Sequence, residues 1–228
     1  MASAESLDSK VERTVELMKD VLNKHDPHKI AVAWTGGKDS TVVMAIWIEV
    51  LKMESLKMNP RALSIDTGVK FPEVLSFRDS LASDWNIDVD IVRPDIDPDA
   101  YPYAVDVLKC CRELKVEPLM KAVEKGKIEV LISGIRRDEH PSRQNRDYLE
   151  KREAPEHLML NPVLDWTEMD IWSFITMNDL PFCELYDQGY RSLGCRPCTA
   201  KSDAGGEREG RNSAKEQKLE LLTSLGYF

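Results

Sequence analysis

"AVAWTGGKDS", residues 31–40, decides the fold. An apolar run enters Thr35-Gly36-Gly37-Lys38-Asp39-Ser40, and an apolar helical pattern over Thr41–Leu51 follows at once. A short apolar run ending at glycines reads as a buried strand and the pattern after it as a helix, so the hexapeptide is a strand-to-helix turn. Glycines without a Cβ let backbone N–H groups approach an anion closely. The orphan N–H groups and positive dipole end of the following helix favour the same ligand. Lys38 adds a full charge, and Ser40 and Thr41 add hydroxyl donors. The simpler reading is an ordinary turn that uses glycine for geometry, with Asp39 or Ser40 as N-cap. The whole hexapeptide in this position favours phosphate. It is not the Walker loop, which separates its first glycine from Gly-Lys by four residues.

Outward from this turn the chain alternates. "RALSID", "VDIVRP" and "EVLISG" repeat the buried-strand signal, and helices are expected over Val11–Leu22, Phe71–Trp85 and Leu114–Glu124. Strands alternating with helices predict an α/β fold, a doubly wound and mostly parallel sheet. "LMLNPVLDW" predicts one more strand, interrupted at Pro162, and Thr167-Glu168-Met169-Asp170 a capping box for a helix to about Met177. The expected organisation is an N-terminal helix within residues 1–28, a nucleotide-binding domain over 29–186, and a segment 187–228 that carries Cys-x-x-Cys. The glycines and charges of "KSDAGGEREGRNSAKEQ" predict that this last segment is a mobile tail.

Composition restricts the ligand. A net charge of −9 and a pI near 5.1 disfavour general binding to nucleic acid or membrane surfaces, so any anion site is local. No stretch approaches the roughly 18 apolar residues of a membrane span, and Met1–Lys10 lacks a signal-peptide core, so a cytoplasmic location is expected. Of five cysteines, four occur in close pairs, Cys110-Cys111 and Cys195-Arg196-Pro197-Cys198. Such pairs suit an iron–sulfur cluster, zinc or a redox disulfide. Adjacent cysteines point in different directions and serve several iron corners better than one small ion. Cys183, among apolar neighbours, reads as a packed thiol. "SGIRRDEHPSRQNR" leaves the last clear strand toward the same crevice as the glycine turn, where Arg136, Arg137 and Arg143 suit sulfate or phosphate. Arg146 is left open, and His140 reads as a surface histidine. Asp66, at the second strand's end, is placed either to accept from a ribose hydroxyl or to cap the next turn.

These motifs together resemble a known family. Thr35–Ser40 resembles the Ser-Gly-Gly-X-Asp-Ser signature of the PP-loop (adenine nucleotide alpha hydrolase-like) superfamily, with Thr35 keeping the hydroxyl. Asp66-Thr67-Gly68, Phe71-Pro72-Glu73, the Gly134-x-Arg136-Arg137-Asp138…Ser142-Arg143 stretch, "CCRELKVEPL" and "GYRSLGCRPCT" resemble the PAPS/APS reductase (phosphoadenosine phosphosulfate reductase-like) branch. The likeness runs from about Lys29 to Arg211. It implies an adenine nucleotide held by Thr35, Gly36, Gly37, Lys38, Asp39, Ser40 and Thr41, with Asp66, Gly134, Arg136, Arg137 and Arg143 beside it. It also implies a [4Fe–4S] cluster on Cys110, Cys111, Cys195 and Cys198, and sulfonucleotide reduction in sulfate assimilation and cysteine biosynthesis.

One departure matters for mechanism. Members of that branch place a nucleophilic cysteine in a C-terminal Glu-Cys-Gly-Leu-His segment, whereas no cysteine follows Cys198 here. No catalytic residue is therefore assigned, and a thioredoxin-like or other thiol donor is expected. The ending "AKEQKLELLTSLGYF" resembles the small subunit of heterodimeric ATP sulfurylase, and "NPVLDWTEMDIW" the reductase-like domain of FAD synthetase. Two alternatives follow: a sulfate adenylyltransferase using ATP with Mg2+, and an ATP-dependent adenylating sulfurtransferase. A homo-oligomer is compatible with either.

Overall fold

Strand β1 (Ile30–Ala33) is buried at every residue, as its unbroken apolar run requires of a strand covered on both faces. In the computed structural model, which describes residues 5–202, 205–224 and 226, it lies inside a six-stranded sheet. With β2 (Arg61–Ile65), β3 (Asp88–Val92), β4 (Val130–Ile132), β5 (Leu149–Glu153) and β6 (Glu156–Leu160), the order is β3-β2-β1-β4-β6-β5. All pairings are parallel except β5 with β6. The expected α/β doubly wound sheet is therefore present. From β1 the chain builds outward through β2 to β3, then crosses back to β4 on the other side. The carboxyl ends of β1 and β4 thus form the switch point at which such sheets bind ligands.

Helix α1 (Leu7–Lys24), α2 (Lys38–Met53) and α6 (Glu168–Met177) cover one face, where Val32, Trp34, Val43, Trp47 and Trp166 build the main core. On the other face α5 (Glu117–Lys125) packs Leu119 and Val123 on Ala31, Leu131 and Met159. Helix α3 (Pro72–Asp84) begins with Pro72 in its first turn, where the missing N–H costs nothing. The capping box at α6 is formed as expected: Asp170 N–H donates to Thr167 Oγ1 at 3.1 Å, and Thr167 N–H to Asp170 Oδ2 at 2.7 Å. The helix expected from Leu114 begins seven residues earlier: α4 (Val107–Cys111) and a π-turn over Arg112–Val116 run into α5.

The segment expected as a mobile tail carries defined contacts in the structure. Among the described residues, Ala200 N–H donates to Gly210 O at 2.7 Å and Thr199 bridges to Arg211, folding the chain back on itself. Helix α7 (Ser213–Glu216) and α8 (Leu219–Ser224) follow, with Lys215, Leu219 and Leu222 buried. Composition suggested solvated charges; here several of those charges have defined partners. The Gly-Tyr-Phe ending is described only at Gly226, so Tyr227 and Phe228 lie outside the described residues.

Candidate functional site

The glycine turn is held open by its geometry. Gly36 has φ +80°, and a Cβ there would meet Val74 at 3.0 Å. Helix α2 starts at Lys38 with Gly37 as N-cap and no side-chain cap, so neither Asp39 nor Ser40 takes the capping role. Instead Ser40 Oγ accepts from Thr35 N–H at 3.2 Å and donates to Gly37 O at 3.0 Å, closing the loop on itself. Gly134, at the end of β4, approaches so closely that a Cβ would lie 2.9 Å from Ser40 N. The two strand ends therefore form one crevice, lined by Thr35, Gly37, Asp39, Ser40, Gly134 and Arg143, with Tyr186, Arg208 and Arg211 opposite. Thr41 turns away from it and accepts from the Trp34 indole N–H at 3.2 Å inside the core.

Lys38 and Arg136 point inward rather than into this crevice. Their side chains are 1% and 0% exposed. Lys38 Nζ pairs with Glu207 and with Asp39 at 3.3 Å, and Arg136 donates to Asp39 at 2.7 Å and to Glu207 at 2.5 Å. Burial alone would lower the Lys38 and Arg136 values, but Asp39 first, then Tyr186 or Glu207, holds both above their ordinary range. Asp39, against its own burial, is drawn below the usual carboxylate range by Lys38 and Arg136. Lys38 N–H donates to the Tyr186 hydroxyl at 2.9 Å, and burial pushes that phenol up to about 12.

The other predicted residues divide. Arg143 is buried at the crevice and pairs with Glu139. Arg137 is not brought there: it pairs with Asp165 and donates to the carbonyls of Gln144 at 3.1 Å and Arg146 at 2.6 Å. Asp66 accepts from Gly68 N–H and from Arg93, each at 3.1 Å, which includes the turn-capping role. Asp39, Glu139 and Glu207 offer carboxylate oxygens within 4.8 Å of one another. Each already faces at least one of Lys38, Arg136, Arg143 and Arg208, so the trio is neutralised without an ion.

All four paired cysteines line one small cleft, with Tyr103, Lys115 and Lys215. The Cys-x-x-Cys turn is tied to the β2–α3 loop: Arg196 N–H donates to Val69 O at 2.8 Å, and Thr67 Oγ1 lies 3.3 Å from Cys195 Sγ. Burial raises Cys195, but Lys115, Thr67, Lys215 and Lys70 outweigh it and draw the thiol down to about 7. Burial pushes Cys110 and Cys198 up. Cys183 is buried apart, with Val74 and Leu185. A larger cleft of about 110 Å³ joins Thr35 at the glycine turn to Cys195 through Lys70, Lys115 and Arg211. Sequence reasoning left Tyr186, Glu207, Arg208 and Arg211 unassigned. Signals existed: "ELYDQGYRSLGC" and "EREGR", which hold these four residues, lie within the family likeness that runs to Arg211, and Lys115 lies four residues after Cys111 and so on the same helical face.

Comparison with known proteins fits this geometry. Residues 29–201 match the phosphoadenosine phosphosulfate reductase domain family. The chain belongs to that family. Adenosine 5′-phosphosulfate reductase 2 of Bacillus subtilis is 28% identical over 198 residues, covering 83% of this chain and 80% of that one. The adenosine 5′-phosphosulfate reductase of Staphylococcus haemolyticus is 31% identical over 165 residues, 68% of this chain and 67% of that one. The phosphoadenylyl-sulfate reductase of Candida auris, solved with phosphate, superposes with a TM-score of 0.66 at 19% identity, over 88% of this chain and 98% of that one. This family member is a reductase-like enzyme. Among the described residues no helix is long and apolar enough to cross a membrane.

Proposed function

We propose that this protein reduces an adenylyl sulfonucleotide, APS or PAPS, beside a [4Fe–4S] cluster, using a thiol that is not among residues 1–228. One observation carries the reading: the glycine turn and Cys195 open on the same cleft, with Lys70, Lys115 and Arg211 between them. A ligand with phosphate at one end and sulfate beyond it suits that spacing of donors and cations. The turn's N–H groups, Ser40 and Arg143 would hold the phosphate, and Lys115 and Arg211 would face the sulfo group. A donor thiolate attacks the sulfo sulfur, the S–O bond to the phosphate breaks, and the nucleotide leaves as AMP from APS or as adenosine 3′,5′-bisphosphate from PAPS. A second donor thiol then takes the first as a disulfide and releases sulfite. The chain's own contribution is charge: cations aimed at the departing phosphate and at the sulfo oxygens stabilise both.

The four cysteines fit the cluster. Cys110, Cys111, Cys195 and Cys198 all line one cleft, Lys70, Lys115 and Lys215 would offset the charge of a thiolate-bound cluster, and the buried Tyr103 hydroxyl lines the cleft without a protein partner. When bound, the cluster supplies a fixed charge near the sulfur. The test is sulfite release by anaerobically purified protein given APS or PAPS with thioredoxin and dithiothreitol. Sulfite from wild type, lost in Cys195→Ser, supports the proposal. Pyrophosphate released from ATP and sulfate, without sulfite from either sulfonucleotide, replaces it with adenylyl transfer.

A further inference from the structure

Lys38 is the loop's cation, yet its ammonium is buried and faces a carboxylate from the far end of the sequence. Lys38, Asp39, Arg136 and Glu207 alternate in sign around a closed ring. Glu207 stands on the returning arm of the fold-back formed by the Ala200–Gly210 hydrogen bond and the Thr199–Arg211 bridge. Its neighbours in that segment, Arg208 and Arg211, line the phosphate crevice that Lys38 and Arg136 do not line. Arg208 is itself oriented by Glu216, at 2.7 and 3.0 Å, and Arg211 by Thr199 at 3.3 Å. Gly194 leaves room for Arg211, since a Cβ there would lie 2.3 Å from its Nη1. A second tie joins the same pieces: Lys38 Nζ donates to Arg191 O at 3.2 Å, and Arg191 donates to Gly205 O at 2.6 Å.

We propose that Glu207 is a positioning residue: by locking onto Lys38 and Arg136 it seats the 205–212 segment, so that Arg208 and Arg211 face the phosphate. The loop lysine then acts through the segment it anchors and not as a phosphate ligand. Removing one member of such a buried ring leaves an opposite charge uncompensated, so the anchor is specific to a carboxylate at 207. The proposal rests on the nucleotide reading of the crevice for its consequence, while the anchoring is measurable without any ligand.

The test uses the full chain, with AMP and adenosine as probes by calorimetry and amide hydrogen exchange on the free protein. Glu207→Gln is expected to speed exchange over residues 205–212. It should weaken AMP about tenfold, in line with loss of one charged hydrogen bond, and leave adenosine unchanged. Glu207→Asp should restore part of both effects, and it replaces the Gln variant if that one does not fold. Lys38→Met in the Glu207→Gln background should cost far less AMP affinity than it does in the parent, because the Lys38–Glu207 link is already broken and only the tie to Arg191 O remains to be lost. Multiplying losses would instead make Lys38 a direct ligand and overturn the proposal. So would tighter AMP binding by Glu207→Gln, which would make Glu207 a competitor of phosphate, or unchanged exchange. If wild type binds no AMP but exchange responds to Glu207, the anchor stands and the nucleotide reading of the crevice falls.

Discussion

At the scale of single residues, the site depends on contacts that leave no room for a methyl group. Gly134 packs on the first turn of α2, so Gly134→Ala must push the β4 loop off Ser40 or deform the glycine turn. We expect at least a tenfold loss of AMP affinity by calorimetry, with the parent's far-ultraviolet circular dichroism retained. His157 is buried on the sheet's outer hairpin, and burial, outweighing the Pro155 carbonyl that accepts from its Nδ1–H, holds the imidazole below its ordinary value. The unfolded chain therefore binds a proton that the folded chain resists. Stability then falls as pH drops through and below about 6.5, the unperturbed imidazole value. His140 shifts in the same direction. Urea midpoints measured between pH 7.5 and 5 should decline for the parent and less steeply for His157→Gln; parallel slopes would exclude His157 as a source.

Elements were legible where local chemistry and burial agree. β1, β2 and β4 announce themselves as apolar runs, and the Thr167–Asp170 box fixes the start of α6. Thr167→Ala should cost about 1 kcal/mol, visible as a thermal midpoint lower by about 2–4 °C; no change would mean that the Lys10–Asp170 pair positions the helix by itself. β5 was not legible because four of its five residues, Glu150-Lys151-Arg152-Glu153, are charged. Edge strands commonly carry such charges, which discourage pairing with other chains, and they erase the alternation from which a strand is read. The helix bearing Cys110 and Cys111 was placed late in the sequence for a related reason. It runs only five residues, Val107–Cys111, after the Asp106 cap, which accepts from Leu108 and Lys109 N–H at 3.1 Å each, and it passes into a π-turn that shifts the helical period.

At the scale of the molecule, the phosphate crevice was half legible. The glycine turn, Gly134 and Arg143 could be assigned from motif and position, whereas Glu207 pairs with Lys38 and Arg136 across 169 and 71 positions that no local pattern encodes. The same holds for the cysteines: α4 and the Cys-x-x-Cys turn meet only through the fold. A cluster bound by both would act as a cross-link between them, and a ligand held by the folded state alone raises stability. Anaerobic reconstitution with iron and sulfide should therefore raise the thermal midpoint and give visible absorption, and Cys111→Ser should lose both. A gain in midpoint that survives in Cys111→Ser would argue against the four-cysteine ligand set.

The buried ring of Lys38, Asp39, Arg136 and Glu207 also bears on how such a chain can change over generations. Each single charge-altering substitution at these four positions strands a partner in a place water does not reach. Drift there should proceed by paired replacements, acid with base, linking codons as much as 169 positions apart. Among relatives, the residue opposite 207 should therefore be guessed better from positions 38 and 136 than from anything adjacent to it.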